Sequence, residues 1–258
     1  QFGNAPYSDL SWLSLYVSTR MLDQDDWAGI WQNYSNYINQ LNKDQYAHDR
    51  NYSDVWKERD YTLHPENLKT SALIVHGLND DNVKTKHFEL MYDALKKAGQ
   101  DVKLYLHQGD HVYPAAMSRG YGITANGQDF YDLLNTWLTH YLYGVDNHVE
   151  SLPAVLAQNN YDPSKWASYD NWKSNQRLFL NASSKRLEET ISSDYAAAGV
   201  EIANRNETVS KASSKANLTF VSDVTEDTTI KGHIPVHFKA SLAKGQGKNF
   251  QINALLVD

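Results

Sequence analysis

The sequence predicts an α/β protein: a parallel sheet covered by helices on both faces, with a helical region ahead of it and an all-β segment behind it. Three observations carry this. Two apolar runs, Leu73-Ile-Val-His76 and Val102-Lys-Leu-Tyr-Leu106, are separated by a helical pattern and followed by a second one. Strand, helix, strand, helix with short links is a βαβ unit with a closing helix, and its parallel strands need cover on both faces. Aromatic residues crowd the segment before this unit, and glycine-punctuated β-rich runs follow it.

The first region, residues 1–62, is dense in rings: Trp12, Tyr16, Trp27, Trp31, Tyr34, Tyr37, Tyr46, Tyr52, Trp56 and Tyr61. Trp27, Trp31 and Tyr34 follow a helical spacing that Ile30, Ile38 and Leu41 continue, so two or three helices are expected there. Such a stripe serves packing against a neighbouring surface in the first instance. The second region, residues 63–158, opens on Leu73–His76, a short apolar run of the kind buried on both faces of a sheet. Lys86 to Ala98 then aligns Phe88, Met91, Leu95 and Ala98 on one helical face, with Gly99 as its stop. After the second strand, Phe130, Leu133, Leu134, Trp137, Leu138, Tyr141 and Leu142 mark an amphipathic helix ended by Gly144. The third region, residues 159–258, contains strand-like runs at Arg177–Leu180, Leu218–Val221, Val236–Ala240 and Phe250–Val257. These read as the opening strands of a β-sandwich that the 258 residues do not complete, with residues 182–215 as a long insertion.

A length of 258 residues is comfortable for two domains, and 41% hydrophobic with 21% charged residues is a globular composition. No stretch approaches the roughly 18 apolar residues of a membrane span. The start, Gln1-Phe-Gly-Asn-Ala-Pro6, lacks the layout of a signal peptide, and cysteine is absent, so a cytoplasmic protein without disulfides is expected. A net charge of −7 speaks against nucleic acid as a partner. Asn-x-Ser/Thr sequons at Asn33, Asn51, Asn181, Asn206 and Asn217 read as chance occurrences in an Asn- and Ser-rich chain.

Chemistry concentrates just past the two strands. Ligands of open parallel sheets sit beyond the carboxyl ends of the strands, where Asp80 and His111 fall, 31 residues apart. A hydrolytic histidine needs a loop position for Nε2 and a carboxylate on Nδ1 to fix its tautomer. The spacing Gly77-x-x-Asp80-x-x-Val83 favours Asp80 over Asp81, which reads as the start of the following helix. His76 and His107, at strand termini, read as structural. An oxygen-rich metal set from Asp80, Asp81, Asp110 and His111 lacks any supporting His-x-x-x-His spacing, so neither metal nor cofactor is expected. The order Ser, Asp, His is that of the α/β-hydrolases. No Gly-x-Ser-x-Gly occurs in the 258 residues, so the nucleophile is expected upstream of residue 1.

Four segments resemble the Xaa-Pro dipeptidyl-peptidases of lactic acid bacteria, in the serine-peptidase group that also contains cocaine esterase. They are Trp56-Lys-Glu-Arg-Asp-Tyr61, Val75-His-Gly-Leu-Asn-Asp-Asp-Asn-Val83, Leu106-His-Gln-Gly-Asp-His-Val-Tyr113 and Phe220-Val-Ser-Asp-Val-Thr-Glu-Asp-Thr-Thr-Ile-Lys-Gly232. The resemblance implies the C-terminal part of an α/β-hydrolase with a helical cap, followed by an incomplete jelly-roll-like sandwich. It implies a cytoplasmic, homodimeric enzyme that removes N-terminal Xaa-Pro dipeptides from proline-containing peptides. Asp80 then matches the triad acid and His111 the triad base, while the nucleophile segment and its oxyanion donor have no counterpart here. A piece of a larger enzyme, inactive alone, is the expectation. An esterase or acylase of the same fold, or a non-catalytic binding module, remains open. Glu58 and Asp60 are acidic residues of the cap region that would suit a substrate ammonium, although exposed ion pairs are their default reading.

Overall fold

In the computed structural model, which describes residues 27–46, 52–80, 82–112, 114, 124–125, 128–173, 227–232 and 234–236, the two apolar runs pair as parallel strands. β1 (Ala72–Gly77) lies beside β2 (Val102–His107), with Ala72 opposite Val102 and Gly77 opposite His107. Two short strands, β3 (Thr124–Ala125) and β4 (Gln128–Asp129), form a separate antiparallel pair. β5 (Val155–Gln158) joins β2 in parallel, and β6 (Trp166–Tyr169) joins β5 antiparallel, giving a four-stranded sheet in the order β1-β2-β5-β6. The sheet is therefore mixed, with its antiparallel strand at the edge.

β2 is buried at every position but Lys103: Val102, Leu104, Tyr105 and Leu106 are each 0–1% exposed. In β1 only Gly77 is buried, whereas the expectation placed Leu73–His76 under cover on both faces. The difference follows from pairing, because among the described residues β1 is hydrogen-bonded on one side only, to β2.

The helices cover opposite faces. α1 (Trp27–Tyr46) and the single turn α2 (Asp54–Lys57) precede the sheet; α3 (Lys86–Lys97) and α4 (Phe130–Tyr143) pack on it. α3 sets Phe88, Tyr92 and Leu95 against Val102, Leu104, Leu106, Val155 and Ala157. α4 sets Phe130 and Leu133 against Tyr105, with Leu73, Val75, Leu156 and Trp166 around them. Successive strand residues point to opposite faces, so Leu104 and Leu106 serve one layer and Tyr105 the other. Each fully buried side chain of this size contributes roughly 1.5–3 kcal/mol.

Both helices on the sheet end where the sequence predicts. Asp129 caps α4 by accepting the Tyr131 N–H at 2.8 Å. At the other end Gly144 takes φ +69°, and its N–H donates to the His140 carbonyl at 2.9 Å. α3 stops at Gly99 after Lys96 and Lys97, whose charges suit a helix C-terminus. The buried face of α4 is narrower than the expected stripe, since Leu138 and Leu142 are exposed. Leu138 follows buried Trp137, and a one-residue step turns the side chain about 100° away from the core.

α1 is the helix expected from the spacing of Trp27, Trp31 and Tyr34, whose side chains lie outside the described residues, while Ile38 and Leu41 are half-buried. Arg59 ties this region together by donating to the Tyr37 hydroxyl and to the Val55 carbonyl.

The chain divides into two units, Gln1–Lys173 and Ser174–Asp258. All helices and strands among the described residues belong to the first. Strand pairing carries its sheet to Tyr169, beyond the expected limit at residue 158. The runs at 177–180, 218–221 and 250–257, and 237–240 of the run that starts at Val236, lie outside the described residues.

One close approach sets the geometry of the strand ends. A Cβ placed on Gly77 would lie 2.4 Å from the Asp110 carbonyl oxygen and 2.5 Å from that of Gly109. Backbone stands in the way, so Gly77→Ala forces the loop after β2 outward and should lower stability by about 1–3 kcal/mol. An unchanged denaturation midpoint for Gly77→Ala would contradict this.

Candidate active site

The site forms where the chain leaves β1 and β2. Beyond β1 the Leu78 N–H donates to the His107 carbonyl at 2.7 Å, and the Asn79 N–H to that of Gly109 at 3.1 Å. The loops after the two strands therefore run together. The Asn79 side-chain amide adds a third link, donating to the Gln108 carbonyl at 2.7 Å.

On this base the structure brings Asp80 and His111 together, with His111 Nδ1 3.0 Å from Asp80 Oδ2. The carboxylate can only accept, so Nδ1 carries the proton and Nε2 is the basic nitrogen of the neutral ring. The Asp80 side chain is 6% exposed and that of His111 56%. A covered acid thus orients an imidazole that solvent reaches. The other oxygen of Asp80 accepts the N–H groups of Asn82 (2.9 Å) and Val83 (2.8 Å), closing a tight turn. Burial by itself raises the Asp80 pKa, but the hydrogen bonds from His111, Val83 and Asn82 outweigh it and hold the carboxyl below its ordinary value. Asp81, the alternative weighed from the sequence, lies outside the described residues.

Two further histidines sit behind this pair. His107 is 1% exposed, and its Nδ1 accepts the Gly109 N–H at 3.1 Å. Burial, reinforced by His76, pushes its pKa down to about 4, so the ring is neutral near pH 7. His76, the last residue but one of β1, has its Nε2 3.0 Å from the Val83 carbonyl and 4.0 Å from Asp80 Oδ2. Its pKa is also lowered, first by burial, against an opposing pull from Asp80.

The His111 loop is secured from β5 as well. Gln158, 3% exposed, accepts the Gln108 N–H at 2.8 Å and donates to the Pro163 carbonyl at 2.7 Å. The Gln108 amide donates back to the Gln158 carbonyl at 2.9 Å. Sequence reasoning passed over Asn79, Gln108 and Gln158. The available signal was a glutamine ending an apolar strand, since a buried amide must find partners.

Glu58 and Asp60 are engaged within their own segment. Asp60 accepts from the Tyr52 hydroxyl at 2.7 Å and caps the turn Tyr61–Leu63 through the Thr62 N–H. Glu58 is exposed and pairs with Arg59 at 3.3 Å. Among the described residues no helix is long and apolar enough to cross a membrane.

The depressed pKa of His107 makes stability depend on pH. The folded form resists protonation that the unfolded chain accepts near pH 6.5, so the contribution is complete above that value. It falls as the pH drops toward about 4, by up to about 3 kcal/mol. His107→Gln, which keeps an acceptor for Gly109 but cannot charge, should flatten this part of a denaturation profile. Equal pH slopes in the two proteins would refute the effect.

Comparison with known proteins finds one family repeatedly. Residues 3–113, which include both Asp80 and His111, match the family model "X-Pro dipeptidyl-peptidase (S15 family)". The Xaa-Pro dipeptidyl-peptidase of Lactiplantibacillus plantarum is 37% identical over 165 residues, 64% of this chain and 19% of that protein. Its counterpart from Ligilactobacillus salivarius is 35% identical over 185 residues, 70% of this chain and 22% of the relative. A putative Xaa-Pro dipeptidyl-peptidase of Bacillus cereus is 33% identical over 156 residues, 58% of this chain and 25% of the relative. The chain spans between about a fifth and a quarter of the length of these curated relatives. Over residues 3–113, and over relatives whose similarity extends beyond them, the chain resembles the X-Pro dipeptidyl-peptidases of the S15 family.

Proposed function

We propose that Asp80 and His111 are the acid and base of a Ser-His-Asp triad in a serine exopeptidase that releases Xaa-Pro dipeptides from the N-termini of peptides. The observation that carries this reading is the 3.0 Å hydrogen bond between His111 Nδ1 and Asp80 Oδ2, at the carboxyl ends of adjacent parallel strands. The substrate class comes from the names of the relatives.

In this mechanism His111 Nε2 takes the proton of a serine hydroxyl as its oxygen attacks the carbonyl carbon of the proline residue. The imidazolium then protonates the leaving amine as the C–N bond breaks, and an acyl-enzyme remains. Water, deprotonated by the same nitrogen, releases the dipeptide and restores the serine. Asp80 keeps Nδ1 protonated and stabilises the positive ring. The nucleophile, with the backbone N–H that follows it as oxyanion donor, comes from sequence ahead of these residues, in the order Ser, Asp, His. The same reading treats residues 1–62 as part of a cap and residues 159–258 as the start of a sandwich, in a cytoplasmic homodimer. Family resemblance is the support for those features.

In the full-length protein, His111→Ala and Asp80→Asn should each lower release from a Gly-Pro anilide by roughly 10³-fold or more with the fold intact. Residues 1–258 alone should release nothing. Near-wild-type turnover by His111→Ala would remove His111 from the mechanism, and release by residues 1–258 would place a nucleophile among them. A full-length protein that cleaves a simple acyl ester but no Xaa-Pro anilide would be an esterase instead.

A further inference from the structure

We propose that His76 is a positioning residue for the triad acid, holding the Asp80 turn closed through the peptide unit of Val83; the proposal rests on the triad reading of Asp80 and His111. The Val83 carbonyl is an acceptor only, so at 3.0 Å it accepts a hydrogen bond from His76 Nε2–H. The N–H of the same residue donates to Asp80 Oδ1 at 2.8 Å. Val83 is thereby gripped from both sides: its N–H by the carboxylate, its carbonyl by the imidazole. Neither bond can lengthen without pulling the residue that sets the other.

The ring itself has little freedom. It lies against Phe88, with ring centroids 5.0 Å apart and planes at 48°, and Phe88 is 4% exposed in the layer between α3 and the sheet. His76 also belongs to β1, directly before Gly77, whose close approach fixes the strand end against the His111 loop. Its Nε2 stands 4.0 Å from Asp80 Oδ2, the oxygen that His111 engages. The carboxylate thus has His111 in front and a ring anchored in the core behind. Loss of the rear anchor frees the 80–83 turn to rotate, and a shift of about 1 Å in such a group costs on the order of 100-fold in rate.

A purely packing role for His76 makes the opposite forecast, and two substitutions separate the two. His76→Gln keeps an N–H donor at similar reach but loses the ring on Phe88. His76→Phe keeps a ring but loses the donor. In the full-length protein, turnover of a Gly-Pro anilide should fall roughly 10- to 100-fold in kcat for His76→Phe, with KM within about twofold. His76→Gln should stay within about threefold of the parent. Should His76→Phe not fold, His76→Leu takes its place in the same comparison. Full activity of the donor-less variant, or loss in His76→Gln alone, overturns the positioning role. His111→Ala and Asp80→Asn run alongside: if both are inactive while His76→Phe matches the parent, only the role of His76 fails. If both retain activity, the triad reading fails first and this proposal with it.

Discussion

The contact on which the site depends is the meeting of two loop backbones beyond the sheet. Parallel strands bring their carboxyl ends to the same edge, but that alone leaves two loops free to diverge. Here the ladder continues past the strands: the Leu78 N–H reaches the His107 carbonyl at 2.7 Å and the Asn79 N–H that of Gly109 at 3.1 Å. Room for this exists because Gly77 has no side chain where the carbonyls of Gly109 and Asp110 pass. Asp80 is three residues beyond that contact and His111 one residue past Asp110, so their 3.0 Å bond follows from main-chain geometry. Side-chain attraction would be a poor substitute, since an exposed ion pair contributes at most about 1 kcal/mol and does not hold a loop in place.

Electrostatics then divides three imidazoles between two duties. His107 is buried and His76 largely covered, and burial lowers the pKa of both. Near neutral pH they act as hydrogen-bonding rings without charge. His111 is the exposed one of the three, and it alone bonds to the carboxylate. Had the two inner rings been charged, positive charge behind Asp80 would compete with the imidazolium that Asp80 stabilises during turnover. Their neutrality keeps the negative charge of Asp80 directed at His111. The same economy of partners governs Gln158, whose buried amide uses both its oxygen, on Gln108, and its nitrogen, on Pro163.

Legibility in the sequence followed the strength of the local signal. The two parallel strands, α3 and α4 were readable because long apolar periodicities and glycine stops specify them independently of tertiary context. β5 and β6 were not singled out. Each has four residues, Val-Leu-Ala-Gln and Trp-Ala-Ser-Tyr, too short for period-two alternation to stand out, and they are strands because β2 and β5 offer free edges to pair with. Asp80 and His111 could be placed because the topology puts any residue just past a parallel strand at the ligand edge. The partners of Asn79, Gln108, Gln158 and His76 could not, because they include backbone atoms: Val83 carbonyl for His76, Gln108 carbonyl for Asn79. Backbone donors and acceptors are present at every residue and leave no mark in the sequence.

The two ends of the sheet show why chemistry belongs to one of them. At the amino ends of β1 and β2, Tyr141 donates to Asp101 at 2.6 Å, and burial together with that carboxylate pushes the phenol pKa up to about 12. Lys103 lies 3.5 Å from the same carboxylate and donates to the Glu150 carbonyl, while Glu150 meets His140 at 3.0 Å. Each of these groups is satisfied by a neighbour, so the end is closed to further chemistry and its worth is stability. At the carboxyl ends the same kinds of groups are used, but among the described residues the chain of partners stops at His111. Asp80 is fully committed to Asn82, Val83 and His111, and His111 commits one nitrogen to Asp80 while its side chain stays 56% exposed. A network that terminates at a solvent-reached imidazole, anchored through a carboxylate to main chain, can pass a proton to an outside group without being dismantled. The closed network at the other end would have to break a bond to do the same.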